Sequence, residues 1–220
     1  MSVWVVVVAA GSGRRFGAPK HLAELGGRAL VLWSLDAARA VADAPSDGVV
    51  LVVRAGDLLD PVLGRDATAR ADVVVAGGDT RAASVRAGLA AVPESAGVIV
   101  VHDGARPLAS AALFRAVVDA VRSGADAAVP AIAVADTLKR VVGDTVTTTV
   151  SRDGIVAVQT PQAFRAEVLR AAHATGPDAT DDAGLVESSG ATVRVVAGEP
   201  RNIKVTTAAD LEVARALAGP

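Results

Sequence analysis

The chain has 220 residues, of which 51% are hydrophobic, and it contains no cysteine. The lack of cysteine excludes disulfides and thiolate metal sites and is typical of the reducing cytoplasm, where we expect this protein to be. A formal net charge of -2 offers no basic excess for nucleic acid, and the N-terminal apolar run is too short to span a bilayer. We therefore expect neither nucleic acid nor a membrane as a partner.

The first predicted element is a strand in the apolar run from Trp4 to Ala10, which leads into GSGRRFGAPK at residues 11–20. A short β-branched run that ends at glycine is typical of a strand buried on both faces of a parallel sheet. The glycines let backbone N–H groups approach an anion, and Arg15 and Lys20 add positive charge. The spacing fits neither a dinucleotide fingerprint nor a Walker loop. We interpret the segment as another kind of phosphate loop, the alternative being an ordinary turn with solvated arginines.

Strands and helices then alternate, which predicts one α/β domain over residues 1–220, with a mostly parallel Rossmann-like sheet and helices on both faces. The predicted strands after the first are residues 48–53, 71–76, 97–101, 125–129 and 192–196. The predicted helices are residues 29–41, 57–69, 85–91, 113–121, 165–173 and 208–217, with a further helix that ends at Ser188 and has Thr180 as its N-cap.

The third strand ends in GGDTRAAS at residues 77–84. The glycine pair allows a ligand to approach the backbone closely, and Asp79, Arg81 and Ser84 offer polar groups to the same crevice. The alternative is that Asp79 or Thr80 simply caps the next helix. Because ligands of open α/β sheets bind at the carboxyl ends of strands, we interpret the segment as a candidate site for a base and ribose.

The fourth strand ends at His102 and Asp103. A carboxylate at the end of a central strand, beside a phosphate loop, is well placed to hold Mg²⁺, which takes one or two carboxylates plus phosphate oxygens. Asp103 is therefore the candidate metal ligand. A histidine beside a buried strand is more often a structural group, and we assign His102 no catalytic role. Lys204, near the C-terminus, could reach the same phosphates if its segment crosses this edge of the sheet.

Residues 132–158 show no helical period, and their β-branched residues alternate around two turn signals, Gly143-Asp144 and Asp153-Gly154. We interpret this segment as a β arm that leaves the main sheet. It is long and polar, and its strand edges would need protection in a solitary domain. We therefore expect it to cross a twofold axis and to mediate dimerisation.

Seven segments together resemble the 2-C-methyl-D-erythritol 4-phosphate cytidylyltransferases of the non-mevalonate isoprenoid pathway. They are AAGSGRRFGAPK, GGDTRAASVRAGL, VHDGARP, ADTLKR, QTPQAF, TDDA and NIKVTT, in the order and spacing of that family. The resemblance implies a fold of the nucleotide-diphospho-sugar transferase type, Mg²⁺ as cofactor, a homodimer, and transfer of CMP from CTP with release of pyrophosphate.

The resemblance also implies roles for individual residues. In the nucleotide half it assigns α-phosphate stabilisation to Arg15 and Lys20, triphosphate binding to the backbone of Ala10, Gly11 and Gly13, cytosine and ribose contacts to Gly78, Asp79 and Ser84, magnesium to Asp103, and a further phosphate contact to Lys204. In the alcohol half it assigns methylerythritol phosphate to Arg106, Thr137, Arg152 and Thr180, with Thr137 and Arg152 reaching it from the partner subunit.

The chain departs from the family pattern at Gly104, Gly184 and the pair His21-Leu22, none of which carries charge chemistry in the implied mechanism. Because the chain ends soon after its last motif, we expect no fused cyclodiphosphate synthase. Two alternatives stay open: a sister cytidylyltransferase that uses ribitol 5-phosphate, and a non-catalytic nucleotide-binding protein of the same fold. The presence of both Arg15 and Lys20 argues against the second, since a binding module could lose either.

Overall fold

The structure, a computed structural model, describes residues 1–11, 22–58, 60, 66–175 and 181–219. The strands are β1 (Val3–Val8), β2 (Glu24–Leu25), β3 (Arg28–Ala29), β4 (Gly48–Val53), β5 (Val73–Ala76), β6 (Val98–Asp103), β7 (Ala127–Ala133), β8 (Leu138–Val142), β9 (Thr145–Val150), β10 (Val156–Val158), β11 (Gln162–Arg165) and β12 (Val193–Ala197). The helices are α1 (Leu30–Arg39), α2 (Arg81–Ala90), α3 (Ala111–Arg122), α4 (Ala166–Thr175), α5 (Asp182–Ser188) and α6 (Ala208–Ala218).

The main sheet runs in the order β12, β7, β11, β6, β1, β4, β5. Strand β7 pairs with β11 at its start and with β10 at its C-terminal end. Strands β6, β1, β4 and β5 are parallel to one another, as are β7 and β12. Strand β11 is antiparallel to both β6 and β7 and joins the two parallel groups. The carboxyl ends of β1, β4, β5 and β6 consequently meet at one edge of the sheet.

Both faces of the sheet are covered because the central strands are apolar on both sides. Val3, Val5 and Val7 of β1 point into a core cluster shared with α1 and α3. Val6 points the other way, into a cluster shared with α2, α4 and α5. The predicted fold class is confirmed: the sheet is mostly parallel with helices on both faces.

Several predicted bounds shift. Residues 57–69 were predicted as one helix, but the structure has a 3₁₀ turn at Ala55–Asp57 and helical residues 66–68, with 59 and 61–65 outside the described residues. Helix α2 begins at Arg81 and not at residue 85, because the Thr80 hydroxyl caps it by accepting from Ala83 N at 3.0 Å. In the described part of the chain, no helix is long and apolar enough to cross a membrane.

Two predictions about local structure are corrected. The N-cap of α5 is Asp181, whose carboxylate accepts from Gly184 N, and not Thr180, which lies outside the described residues. The predicted arm is also too long: β8 and β9 form a separate hairpin around Gly143, whereas β10 pairs with β7 in the main sheet. A turn does form at Asp153-Gly154, but it returns the chain to the sheet instead of closing a second hairpin. We call β8 and β9 with their turn, residues 138–150, the arm hairpin.

Candidate active site

A cavity of about 650 Å³ opens at the edge where β1, β4, β5 and β6 end. Parallel strands present their carboxyl ends together, so segments that are far apart in sequence converge there. The described lining residues come from the ends of these four strands, from the first turn of α2 and from the segment before α6: Val8, Ala9, Ala10, Gly11, Arg54, Ala55, Gly77, Gly78, Asp79, Thr80, Arg81, Ser84, Asp103, Gly104, Ala105 and Lys204.

One wall of the cavity is built from backbone and small side chains. A Cβ at Gly77 would lie 2.5 Å from Ala10 Cβ and 2.7 Å from Ser84 Oγ, so no larger residue fits there without displacement. The Ser84 hydroxyl lies 3.2 Å from Gly78 O and 3.0 Å from Thr80 O, which ties the start of α2 to the end of β5. The result is a close-packed wall that a flat, polar group can approach, as base recognition requires.

Another part of the cavity lining is charged. Lys204 Nζ lies 2.7 Å from Asp103 Oδ2, and Arg81 Nε lies 3.4 Å from Asp103 Oδ1. Burial alone would raise the pKa of the Asp103 carboxyl, but the charges of Arg81, Lys204 and Arg106 outweigh it and hold the pKa well below its usual range. Asp103 is therefore ionised throughout the neutral pH range, with two cations beside it at the mouth of the site.

The residues fit a magnesium ion only if the nucleotide supplies most of its ligands. Within the described ranges, no group of three or more acidic or histidine side chains could hold a metal by itself. Asp103 provides one ionised carboxylate at the cavity, and Mg²⁺ commonly binds through one or two carboxylates together with substrate phosphates and water. The donor set therefore matches a metal that arrives with a triphosphate and does not match a permanent protein site.

His102 is a structural group, as predicted. It is fully buried, and burial lowers its pKa to about 4, so the ring is neutral near pH 7. Its Nδ1 lies 3.2 Å from Thr160 Oγ1, and its Nε2 lies 3.2 Å from Arg106 O. Because Arg106 O can only accept, Nε2 of the neutral ring carries the proton and donates to it. Nδ1 therefore accepts from the Thr160 hydroxyl, whose oxygen accepts from Asp103 N at 3.0 Å. Both ring nitrogens are used to fix the backbone around Asp103.

The described residues that were predicted to bind the nucleotide come together at the cavity, whereas the predicted substrate residues near the arm hairpin lie away from it. Seven predicted site residues line the cavity: Ala10, Gly11, Gly78, Asp79, Ser84, Asp103 and Lys204. Thr137 and Arg152 are exposed and do not line it; Arg152 Nη1 instead donates to Val134 O at 3.0 Å. Gly13, Arg15, Lys20 and Thr180 lie outside the described residues.

Arg106 follows the lining residue Ala105 and is only partly exposed. Its Nη1 donates to Asn202 O at 2.8 Å, whereas its buried Nε has no partner among the described residues. Burial lowers the pKa of the guanidinium, which Asp103 partly offsets. A desolvated guanidinium with a free donor is a suitable partner for an anion such as a phosphate.

Sequence reasoning missed one charged lining residue and the ion-pair partner of another. Arg54 follows the last residue of β4 and pairs with Asp57 through Nε and Oδ2 at 2.9 Å. The rule that pointed to Asp103, a polar residue at the end of a buried strand, would have found it. Arg81 was noticed as polar, but its ion pair with Asp182 joins positions 101 residues apart, and no sequence pattern signals it.

Known proteins resemble this chain over its whole length. Residues 3–219 match the sequence profile of the family described as IspD, 2-C-methyl-D-erythritol 4-phosphate cytidylyltransferase. The chain belongs to this family. A cytidylyltransferase of that name from Nocardia farcinica is 43% identical over 219 residues, covering 98% of this chain and 94% of the relative.

Two further relatives extend the comparison within the IspD family. The bifunctional enzyme IspD/IspF of Solidesulfovibrio magneticus is 40% identical over 237 residues; the match covers 100% of this chain, which spans 58% of that relative's length. The crystal structure of the Thermus thermophilus cytidylyltransferase has a TM-score of 0.82 and 38% identity, with 99% of each chain covered. These matches confirm the predicted fold and class of enzyme, a cytidylyltransferase of non-mevalonate isoprenoid biosynthesis.

Proposed function

We propose that this IspD family member transfers CMP from CTP to 2-C-methyl-D-erythritol 4-phosphate, giving 4-diphosphocytidyl-2-C-methyl-D-erythritol and pyrophosphate in the cytoplasm. The observation that carries the proposal is the cavity itself, which is lined both by a close-packed glycine wall and by the ionised Asp103 with its two cations. The wall suits a pyrimidine base and ribose, and the charged side suits a triphosphate.

The reaction needs positioning and charge neutralisation more than acid–base catalysis. An oxygen of the substrate phosphate attacks the α-phosphorus of CTP, the new P–O bond forms, and the bond to the β-phosphate oxygen breaks with its electrons leaving on pyrophosphate. The attacking phosphate is already ionised at neutral pH, so no general base is required. Lys204 in the cavity, with Arg15 and Lys20 of the phosphate loop, would offset negative charge as it builds around the α-phosphate.

Asp103 would hold Mg²⁺, and the bound ion would neutralise part of the triphosphate charge. The protein's own contribution is to keep Asp103 ionised and in place. Thr160 accepts from the Asp103 backbone N–H, and His102 orients that hydroxyl. This arrangement fixes the Asp103 backbone at the strand end, and the ion pairs with Lys204 and Arg81 hold the carboxylate itself.

The alcohol half of the proposed site is shared between two subunits. Six exposed aliphatic side chains lie on the arm hairpin and on the residues that follow it: Val141, Val142, Val146, Ile155, Val156 and Val158. Their exposure in an isolated chain supports a homodimer in which a second copy covers them. In such a dimer Thr137 and Arg152 would reach the partner's cavity, while Arg106 and Thr180 would bind the substrate within the same chain.

The test is a pyrophosphate-release assay with CTP and a panel of polyol phosphates, including methylerythritol phosphate and ribitol 5-phosphate, each with and without Mg²⁺. The expected result is Mg²⁺-dependent release only when CTP and methylerythritol phosphate are both present. Faster turnover of ribitol 5-phosphate would assign the protein to the sister activity. CTP binding without pyrophosphate release from any alcohol would indicate a non-catalytic nucleotide-binding protein.

A further inference from the structure

A line of paired polar and charged side chains runs from the cavity into the protein interior. Lys204 pairs with Asp103, Asp103 with Arg81, Arg81 Nη1 with Asp182 Oδ2 at 2.8 Å, and Asp182 Oδ1 with His173 Nε2 at 2.9 Å. The first three of these side chains line the cavity, whereas the last two do not. We call these five residues the charge line.

The inner end of the charge line is almost completely buried. The side chains of Asp182 and His173 are 1% and 2% exposed, so neither can meet a ligand in the cavity. A buried carboxylate is costly unless its oxygens are paired, and both oxygens of Asp182 are engaged. Such a group contributes to a site only by orienting a neighbour, and the member of the charge line that connects Asp182 to the cavity is Arg81.

Arg81 makes a closer ion pair with the buried Asp182 than with Asp103 at the cavity. Its contact with Asp182 is 2.8 Å, whereas its contact with Asp103 is 3.4 Å and Asp103 is shared with Lys204. A bound triphosphate would bring more negative charge to the cavity and compete with Asp103 for both cations. Because the ion pair with Asp182 is retained, the Arg81 guanidinium keeps its position in the cavity lining during that exchange.

We propose that Asp182, oriented by His173, is a positioning residue that fixes Arg81 at the cavity for the nucleotide. The inference rests on the proposed function, since it takes the ligand of the cavity to be CTP. It adds to that function a structural link: Asp182, the first residue of α5, holds Arg81, the first residue of α2, at the cavity.

The test measures CTP binding directly, by titration calorimetry of the full chain with CTP and Mg²⁺ and no alcohol substrate. Asp182→Asn keeps the size and one acceptor but removes the charge that holds Arg81. We expect it to raise the Kd of CTP about tenfold, and Arg81→Ala to raise it by a similar factor. If Asp182 acts through Arg81, the double variant will bind CTP no more than about twofold more weakly than Arg81→Ala alone.

A matched control separates positioning from general loss of stability. Asp72→Asn makes the same change in an aspartate that pairs with Arg39 Nη2 at 2.7 Å, just before β5 and thus at the opposite edge of the sheet. It is expected to lower the Tm while leaving the Kd of CTP within about twofold of wild type. His173→Gln keeps a donor for Asp182 and is expected to raise the Kd only about threefold.

An unchanged Kd of CTP in folded Asp182→Asn, beside active wild-type protein, would overturn this inference and leave the proposed function intact. So would a double variant whose loss equals the product of the two single losses. Should Asp182→Asn fail to fold, an unchanged Kd in His173→Gln would have the same meaning. Wild-type protein that neither binds CTP nor releases pyrophosphate would instead refute the proposed function, and this inference with it.

Discussion

The cavity and the arm hairpin hold their polar side chains in opposite ways. In the cavity, Asp103 and Arg81 are largely buried and fixed by ion pairs from three different segments. In the arm hairpin nearly every residue is exposed, and Val142 shows 71% of its surface to solvent. Arg152, just beyond the hairpin, contacts backbone carbonyls of Val134 and Ala135.

This difference separates two kinds of site. The described residues predicted for the nucleotide half come together within one chain, because the sheet brings strand ends to one edge. Thr137 and Arg152, predicted for the alcohol half, face solvent and do not line the cavity. Variants in the cavity should therefore act on CTP and on the chemical step, whereas variants near the arm should act on the alcohol and on dimerisation.

The largest effect is expected in the phosphate loop. Lys20→Ala and Arg15→Ala should each lower kcat by on the order of 10²-fold with a smaller change in the KM for CTP, since the charge they offset develops mainly in the transition state. Steady-state pyrophosphate release measures both constants. Near-normal kcat in Lys20→Ala would remove the loop from the chemistry.

A smaller effect is expected at the glycine wall. Gly77→Ala places a methyl group against Ala10 and Ser84, where overpacking costs the fold about 1 to 3 kcal/mol. The wall has to shift to relieve the clash, and we expect this shift to raise the KM for CTP by about thirtyfold. Gly56→Ala is the matched control, because a Cβ at Gly56 has nothing within 4 Å. Equal KM values in the two variants would show that the wall does not contact the base.

Near the arm, Arg152→Ala should raise the KM for methylerythritol phosphate by about tenfold, the loss expected of one charge-assisted contact, and leave the KM for CTP unchanged. Arg140→Ala removes an equally exposed arginine from the arm hairpin and should change neither constant. A parallel rise in both KM values for Arg152→Ala would contradict the separation into two halves.

The smallest effect on turnover is expected at His102. The pKa of His102 is about 4 in the folded protein and about 6.5 in the unfolded chain. Between these two pH values the unfolded chain binds a proton that the folded protein does not, so the free energy of unfolding falls as the pH is lowered from about 6.5 to 4. The loss amounts to about 3 kcal/mol in the free energy of unfolding. Urea unfolding at about pH 7 and pH 4.5 should show a larger loss in the free energy of unfolding for wild type than for His102→Gln. The pH–rate profile of His102→Gln between about pH 6 and 8 should match that of wild type. A shifted profile would give His102 a catalytic role.

The sheet and the edge that carries the cavity were predictable from sequence because they depend on local pattern. Strand β4 has the bounds that its unbroken apolar run predicts, and Asp103 was found because it ends such a run. The same rule, that a polar residue at the end of a buried strand is a site candidate, also applies to Arg54. Strand ends at one edge of a parallel sheet converge whatever their separation in sequence, so chain order alone brings them together.

The remaining features depend on contacts that sequence does not encode locally. Thr180 and Asp181 are both good N-cap residues, and only the geometry shows that Asp181 caps α5. Strand β10 pairs with the distant strand β7 and not with β9, its neighbour in sequence, and the similar alternating patterns of the two strands do not decide between them. The ion pair between Arg81 and Asp182 likewise depends on the fold, which brings the starts of α2 and α5 together.

The most direct test of the two-subunit site is complementation between two impaired variants. The assay uses methylerythritol phosphate well below its KM, where the tenfold rise in KM leaves Arg152→Ala with about a tenth of wild-type activity. The account has each site combine Lys20 of one subunit with Arg152 of the other. Lys20→Ala and Arg152→Ala chains that are refolded together will then form mixed dimers. In each mixed dimer one site carries both substitutions and the other site carries neither. Random pairing makes about half of the dimers mixed, so about a quarter of wild-type activity should return. A mixture no more active than its parents, with subunit exchange demonstrated by mass-labelled chains, would place Arg152 in its own subunit's site and contradict the account.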